Sequence, residues 1–194
     1  MCKLCTNTKE NYSVILSGHI CSYNTVKNSQ IYGATIRSSD IDNCEICRGC
    51  NLNFVYARQS QINDSAQIGV FSVLRPNTIV MSNAKIGNFV ETKNAVIGQN
   101  SKVPHLTYVG DAEIGKNVNV GCGTVFCNYN GKIKQKTVVQ DNVFIGSNSN
   151  LVAPLLVESG SYIAAGSTIT KSVPSKCLAI ARSRQVNKEN YIKQ

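Results

Sequence analysis

From Ile62 to Ile86 an aliphatic residue returns at every sixth position (Ile62, Ile68, Leu74, Val80, Ile86), and four places after each stands a small or β-branched one (Ala66, Ser72, Thr78, Ala84, Val90). The beat resumes at Val139 and continues through Ile145, Leu151, Val157 and Ile163 to Ile169, with Val143, Ser149, Leu155, Ser161, Ser167 and Val173 in the small slot. A helix repeats its face about every 3.6 residues and a half-buried strand alternates, so neither restores one face every six over such a distance. A β-solenoid does, because each flat side of a coil uses about six residues. The expected fold is therefore all-β, a parallel β-helix. A hydrophobic content of 42% without a single Trp suits its narrow core of Ile, Val and small residues.

The chain divides into residues 1–13, polar, irregular and expected to be loose; 14–173, the solenoid; and 174–194, a basic tail. Between residues 14 and 52 the aliphatics Ile20, Val26, Ile31, Ile36 and Ile46 fall at uneven intervals. The phase shifts at Ile97 and again at Ile114, and each shift must be absorbed at a corner. Ile-Gly or Val-Gly pairs recur at Gly69, Gly87, Gly98, Gly110, Gly115, Gly121 and Gly146, where glycine is expected to supply the positive φ of a tight corner. The longest break, Cys127 to Val138, carries an Asn-Gly turn signal and three lysines. It reads equally as a functional loop or as a solvated excursion. Pro174 is expected to stop strand pairing. The tail beyond it carries Arg182, Arg184, Lys188 and Lys193, and either caps the open end or reaches over a phosphate.

Twenty Lys and Arg against eleven acids give a net charge of +9, which favours phosphorylated ligands. No basic cluster is interleaved with aromatics as a nucleic-acid platform requires, and no apolar run is long enough to span a bilayer. Nine cysteines without an apolar leader point to reduced thiols in the cytoplasm rather than to a disulfide framework. Cys2 and Cys5, and Cys44, Cys47 and Cys50, have the spacing of metal ligands. With Ile46 and Leu52 inward, however, Cys44 and Cys50 occupy the small interior slot, and neither His19 nor His105 completes a site; no metal is expected.

Walker, Rossmann and Gly-x-Ser-x-Gly motifs are absent, which removes support for nucleotide hydrolysis and serine-hydrolase chemistry. His105, beside Pro104 and three residues before Tyr108, is the first candidate for a general base; a structural or surface histidine is the alternative. Arg75 and Lys93 are eighteen residues apart, one coil if three hexads make a turn, so they form either a phosphate clamp or a solvated basic stripe. Cys122 in VGCGTV is a corner residue or a nucleophile.

The run IGNFVETKNAVIGQNSKVPHLTYVGDAEIGKNVNVGCGTVFCNYNGKIKQKTVV, with VFIGSNSNLVAP and YIAAGSTIT after it, resembles the acetyltransferase domain of the bifunctional enzyme that makes UDP-N-acetylglucosamine in bacteria. The resemblance is dense from about Ile68 to Lys188. It implies a left-handed parallel β-helix and a homotrimer with active sites between subunits, transferring acetyl from acetyl-CoA to the amine of glucosamine 1-phosphate. By the same resemblance His105 is the base and Glu91 orients it or the amine, while Arg75, Lys93, Tyr108, Asn119 and Lys134 hold the sugar phosphate. Asn128 and Tyr129 contact acetyl donor and sugar; Ser147, Ala165, Arg182 and Lys188 lie along the coenzyme A groove, where the backbone N–H near Cys122 serves the oxyanion. Cys122 departs from the alanine usual in the family. Nothing here corresponds to the family's uridyltransferase domain, so no uridyl transfer and no magnesium requirement are expected, and a separate chain could supply that step. Two readings compete with this one: acetylation of another amino or hydroxy sugar, and a non-catalytic solenoid scaffold.

Overall fold

A computed structural model describes residues 14–20, 23–189 and 191 of the chain. Cys2, Cys5 and the whole expected loose segment 1–13 lie outside the described residues. Among those described there is no helix, and so none long and apolar enough to cross a membrane.

Every strand pairing within the coil is parallel and joins a strand to the one lying a full turn later. Three sides alternate along the chain. The first is represented by Thr78–Val80, the second by the residues around Lys85 and Lys102, and the third by Ser72–Leu74 and Val125–Cys127. The strands Lys85–Ile97 and Lys102–Ile114 are long enough to pass along all three sides in turn. The aliphatics of the six-residue beat form the core, with Ile62, Leu74, Ile86, Ile145 and Leu151 fully buried.

The uneven N-terminal part is as regular as the rest, but in a shorter measure. Thr25 lies opposite Asp40, fifteen residues on, and Asp40 opposite Tyr56, sixteen on, whereas Thr78 follows Ser60 by eighteen. Two or three sides per early coil use five residues, so Ile36, Ile41 and Ile46 are consecutive buried rungs, and Ala57 is another. The later phase shifts have the same origin. Thr92 is a buried rung, and the sides from Thr92 to Ile97 and from Val109 to Ile114 are both one residue short. They stack on each other at the third-to-first corner. On the next coil that corner opens into the Cys127–Val138 excursion, so that Ala112 pairs with Thr137, twenty-five residues on.

The glycine expectation is corrected. None of Gly69, Gly87, Gly98, Gly110, Gly115, Gly121 and Gly146 has a positive φ; the left-handed positions are taken most often by asparagine, by other glycines such as Gly49, Gly123 and Gly166, and, unusually, by Phe54, Phe71 and Phe89. The pair glycines are small because the next coil passes over them. A Cβ on Gly121 would meet the Ser147 backbone nitrogen at 2.4 Å, and one on Gly146 the Ala165 nitrogen at 2.4 Å.

Pro174 makes a turn rather than an end. Val173 still bridges to Val157, and Leu178–Ala179 resumes pairing against Tyr162–Ile163. The coil therefore continues past residue 173 into the expected tail.

Cys44 and Cys50 are buried as small core residues. Burial pushes the Cys50 thiol up from its ordinary 9.0 to about 11. Between those values the unfolded chain loses its proton while the folded chain keeps it, so stability present below pH 9 falls as pH rises toward 11. The drop in urea midpoint between pH 8 and pH 11 is expected to be smaller in Cys50→Ala than in the unsubstituted protein; equal drops would refute the assignment.

Candidate active site

The third side is bordered by two columns of candidate residues, one on each corner. On the second-to-third corner, register places Asn88 opposite His105, then Cys122, Ser147 and Ala165 on successive coils. Arg182 follows, its Cδ 3.9 Å from where a Cβ on Gly166 would stand. The sequence assigned these residues one by one, and the fold strings them on a line. Among the described residues, the amides of Cys122, Ser147 and Ala165 donate to no backbone carbonyl, whereas Gly123, Asn148 and Gly166 beside them do. The column thus offers donors to a ligand lying along it. His105 is exposed, and its carbonyl accepts from the Thr107 hydroxyl and, at 3.4 Å, from Gly123 N. Lys188 lies beyond the last strand, exposed.

The opposite corner is cationic. Leu74 sits opposite Thr92, so Arg75 and Lys93 are neighbours on adjacent coils, as their spacing requires. Arg58 precedes them in the column but is tied to Asp40 at 2.7 Å and lies over the Tyr56 ring. Arg75 Nη1 donates to Glu91 Oε1 at 2.9 Å, with both side chains half-exposed. Glu91 is therefore engaged with Arg75, and in register it faces Tyr108 rather than His105.

Lys93 is met by Lys134, which arrives from the Cys127–Val138 excursion. That segment is a small hairpin: Tyr129 bridges Lys134, Gln135 N donates to the Asn128 carbonyl, and Asn130 Oδ1 accepts from the amides of Lys132 and Ile133 at its tip. The Tyr129 hydroxyl donates to Gly131 O within the hairpin. Lys134 beside it, and Arg75 more weakly, hold Lys93 below the ordinary lysine pKa. Two ammonium groups brought together without a carboxylate partner of their own make a ready seat for a phosphate.

From the His105 column to the Lys93 column is five residues of strand, ~16 Å. Arg75 and Lys93 stand at one edge, with Lys134 beside Lys93, and His105 stands at the other, with Glu91 and Tyr108 between. Asn119 is not brought to this side. It sits on the second side, opposite Lys102 and Phe144. A cavity of about 840 Å³ also lies elsewhere: it runs along the first side from Asn28 to the hairpin, and of the candidate residues only Lys134 lines it. The candidate face is an open side of the coil.

Sequence reasoning missed Asp111, which stands within the GDAEIG run. Its signal is positional: it is seventeen residues after Asn94, itself seventeen after Asn77, on the column of left-handed corner residues. Asp111 accepts from Asn94 and from the buried Asn128.

No family model matches the chain. Its sequence is 52% identical over 154 residues to the bifunctional protein GlmU of Caldicellulosiruptor saccharolyticus, covering 79% of this chain and 33% of that protein. It is 57% identical over 135 residues to the bifunctional protein GlmU of Listeria monocytogenes, covering 70% and 30%. The chain thus spans about a third of the length of the curated relatives it matches. Among solved structures, an Arabidopsis UDP-N-acetylglucosamine acyltransferase overlays with a TM-score of 0.47 at 17% identity, covering 89% of this chain and 68% of that one. The polySia-specific acetyltransferase NeuO gives 0.43 at 17%, covering 96% and 88%. Overlays at those scores bear neither on fold nor on function. At half identity across four-fifths of its length, with the parallel coil in place, the chain belongs with the acetyltransferase domain of the bifunctional GlmU proteins.

Proposed function

We propose that the chain transfers the acetyl group of acetyl-CoA to the amine of glucosamine 1-phosphate, in the route to UDP-N-acetylglucosamine. The observation that carries this reading is the pairing of two unlike columns across one side: a cationic corner where, among the described residues, Lys93 and Lys134 make no ion pair, and a histidine followed by open backbone donors on the other. Lys93 and Lys134, with Arg75, grip the sugar phosphate. The amine lies toward His105, which takes its proton as it attacks the thioester carbonyl. The Cys122 N–H donates to the oxygen on which charge develops, and collapse releases coenzyme A. Only the backbone of Cys122 is used, so a thiol in place of alanine is compatible with turnover. Ser147 and Ala165 continue the donor line under the coenzyme's arm, and Arg182 and Lys188 meet its phosphates. The proton passes to His105 and the charges to Lys and Arg, so no metal ion takes part.

We assign the working form as a homotrimer with sites between subunits. Asn119 supports this, since it faces from the second side and reaches a phosphate only on another copy. The exposed corner stack of Phe54, Phe71 and Phe89, with ring centroids 5.6–5.7 Å apart, also suits cover by a partner.

The direct test is release of free coenzyme A from acetyl-CoA when glucosamine 1-phosphate is added to folded protein; no release sinks the reading. Lys93→Ala and Lys134→Ala are each expected to raise the KM for glucosamine 1-phosphate at least ~10-fold, the loss of one charge-assisted hydrogen bond. Because Lys134 holds the Lys93 pKa down, affinity for this substrate weakens as pH rises through a range below that of an ordinary lysine, and KM measured against pH checks it.

A further inference from the structure

The hairpin that carries Lys134 is set against its own interest. It brings one ammonium group near another, and like charges repel unless something holds them. Nothing at the hairpin tip does this, because its hydrogen bonds are internal: Tyr129 to Gly131, and Asn130 to Lys132 and Ile133. The restraint lies at its base. Asn128 is buried there, and its two amide hydrogens are both used on the coil beneath, one toward Asp111 Oδ2 and one toward the Tyr108 hydroxyl oxygen at 3.3 Å.

Three features make this a built junction. The Asp111 carboxylate spans three coils, since its other oxygen accepts from Asn94 Nδ2 at 2.7 Å. Asp111 is in the left-handed region at φ 47°, which turns it outward at the corner from which the hairpin departs. Gly110 before it leaves the space in which the network meets: a Cβ there would stand 2.3 Å from the Tyr108 hydroxyl and 2.7 Å from Asn128 Nδ2. At the other stem, Lys136 pairs with Glu113, but both side chains are half-exposed, and such a pair contributes little.

We infer that Asp111 is a positioning residue: through Asn128 it clamps the hairpin base to the coil and so keeps Lys134 over Lys93, ready for a phosphate before one arrives. Asp111 does not touch the substrate. Its carboxylate also faces Lys93 on the preceding coil, where its charge partly offsets the repulsion from Lys134. The link to glucosamine 1-phosphate rests on the acetyl-transfer reading; the clamp itself does not.

The test variant is Asp111→Asn in the full chain. Asparagine is at ease at positive φ, so the corner is not strained, but it has one acceptor oxygen and no charge where the carboxylate serves Asn94 and Asn128 from separate oxygens. Limited digestion with trypsin reads the hairpin directly, because Lys132, Lys134 and Lys136 are exposed in it. Asp111→Asn is expected to speed cleavage there at least ~10-fold, with inorganic phosphate adding protection in the unsubstituted protein and little in the variant. In the coenzyme A release assay the KM for glucosamine 1-phosphate rises about tenfold, while kcat and the KM for acetyl-CoA stay within about threefold, as expected for a lost charge-assisted hydrogen bond. Asn94→Gly is the control, because it removes the other partner of the same carboxylate and keeps a residue suited to left-handed φ. It should leave the hairpin protected. Unchanged cleavage in Asp111→Asn overturns the inference, and so does equal cleavage in Asn94→Gly, which would mean general loosening of the corner. A fall in kcat at constant KM also overturns it, since it would place Asp111 at the reacting atoms. If the unsubstituted protein releases no coenzyme A, the acetyl-transfer reading fails and the digestion arm with inorganic phosphate still decides the clamp.

Discussion

His105→Ala is expected to lower turnover by ~10²–10⁴-fold, the usual contribution of a positioned general base, while thermal stability and acetyl-CoA binding stay as they were. The expectation of unchanged stability comes from the structure. His105 is exposed at a corner, and the contacts made there by its backbone, the Thr107 hydroxyl and Gly123 N to its carbonyl, survive the substitution. A lost base also has a signature in pH. Without a base, residual activity should follow the fraction of the substrate present as free amine. If turnover is retained within about threefold, His105 is a surface residue and the scaffold reading gains. Purified protein, initial rates of coenzyme A release and a melting curve decide it.

Gly87→Ala is expected to cost about 3 kcal/mol or more, at the upper end of overpacking effects. A Cβ at Gly87 would stand 1.7 Å from the Pro104 carbonyl oxygen and 2.4 Å from its carbon. The obstacle is backbone of the next coil, which cannot move without breaking the pairing of Lys85–Ile97 with Lys102–Ile114. Gly131→Ala makes the useful contrast. Gly131 has φ 93° and nothing within 4 Å of its would-be Cβ, so its cost is backbone strain alone, of the order of 1–2 kcal/mol. Urea unfolding of both variants should rank Gly87 as the worse site. The reverse order would restore the view that these glycines serve the corner dihedral rather than close passage of two coils.

That correction shows where the sequence stops being legible. A glycine after an aliphatic residue is compatible with a left-handed corner and with a tight backbone crossing, and only the coil stacked above it distinguishes them. The asparagines at the corners were legible in principle, since their spacing of fifteen or seventeen residues is the coil length, but they are lost among ordinary surface polar residues unless the coil is known. The five-residue sides are a similar case. Ile36, Ile41 and Ile46 are evenly spaced, yet against an expectation of six they look irregular. Of the candidate site, the residue types and the resemblance indicated His105, Arg75, Lys93 and Lys134. Register then separated them into two columns, withdrew Asn119 to another side, gave Glu91 to Arg75, and added Asp111.

The sequence alone determined that this chain is a coil of short parallel strands around a thin aliphatic core, because a period near six has no other regular solution. It also determined which cations lie one coil apart, since coil length and residue spacing are the same quantity. Only the tertiary structure decided which corner each residue occupies, where the hairpin lands, and which polar groups it spends on its own anchoring. Those outcomes depend on single-residue differences in the length of a side. Each such difference turns everything after it by one position around the coil, a small change in sequence that moves a side chain from one face to the next.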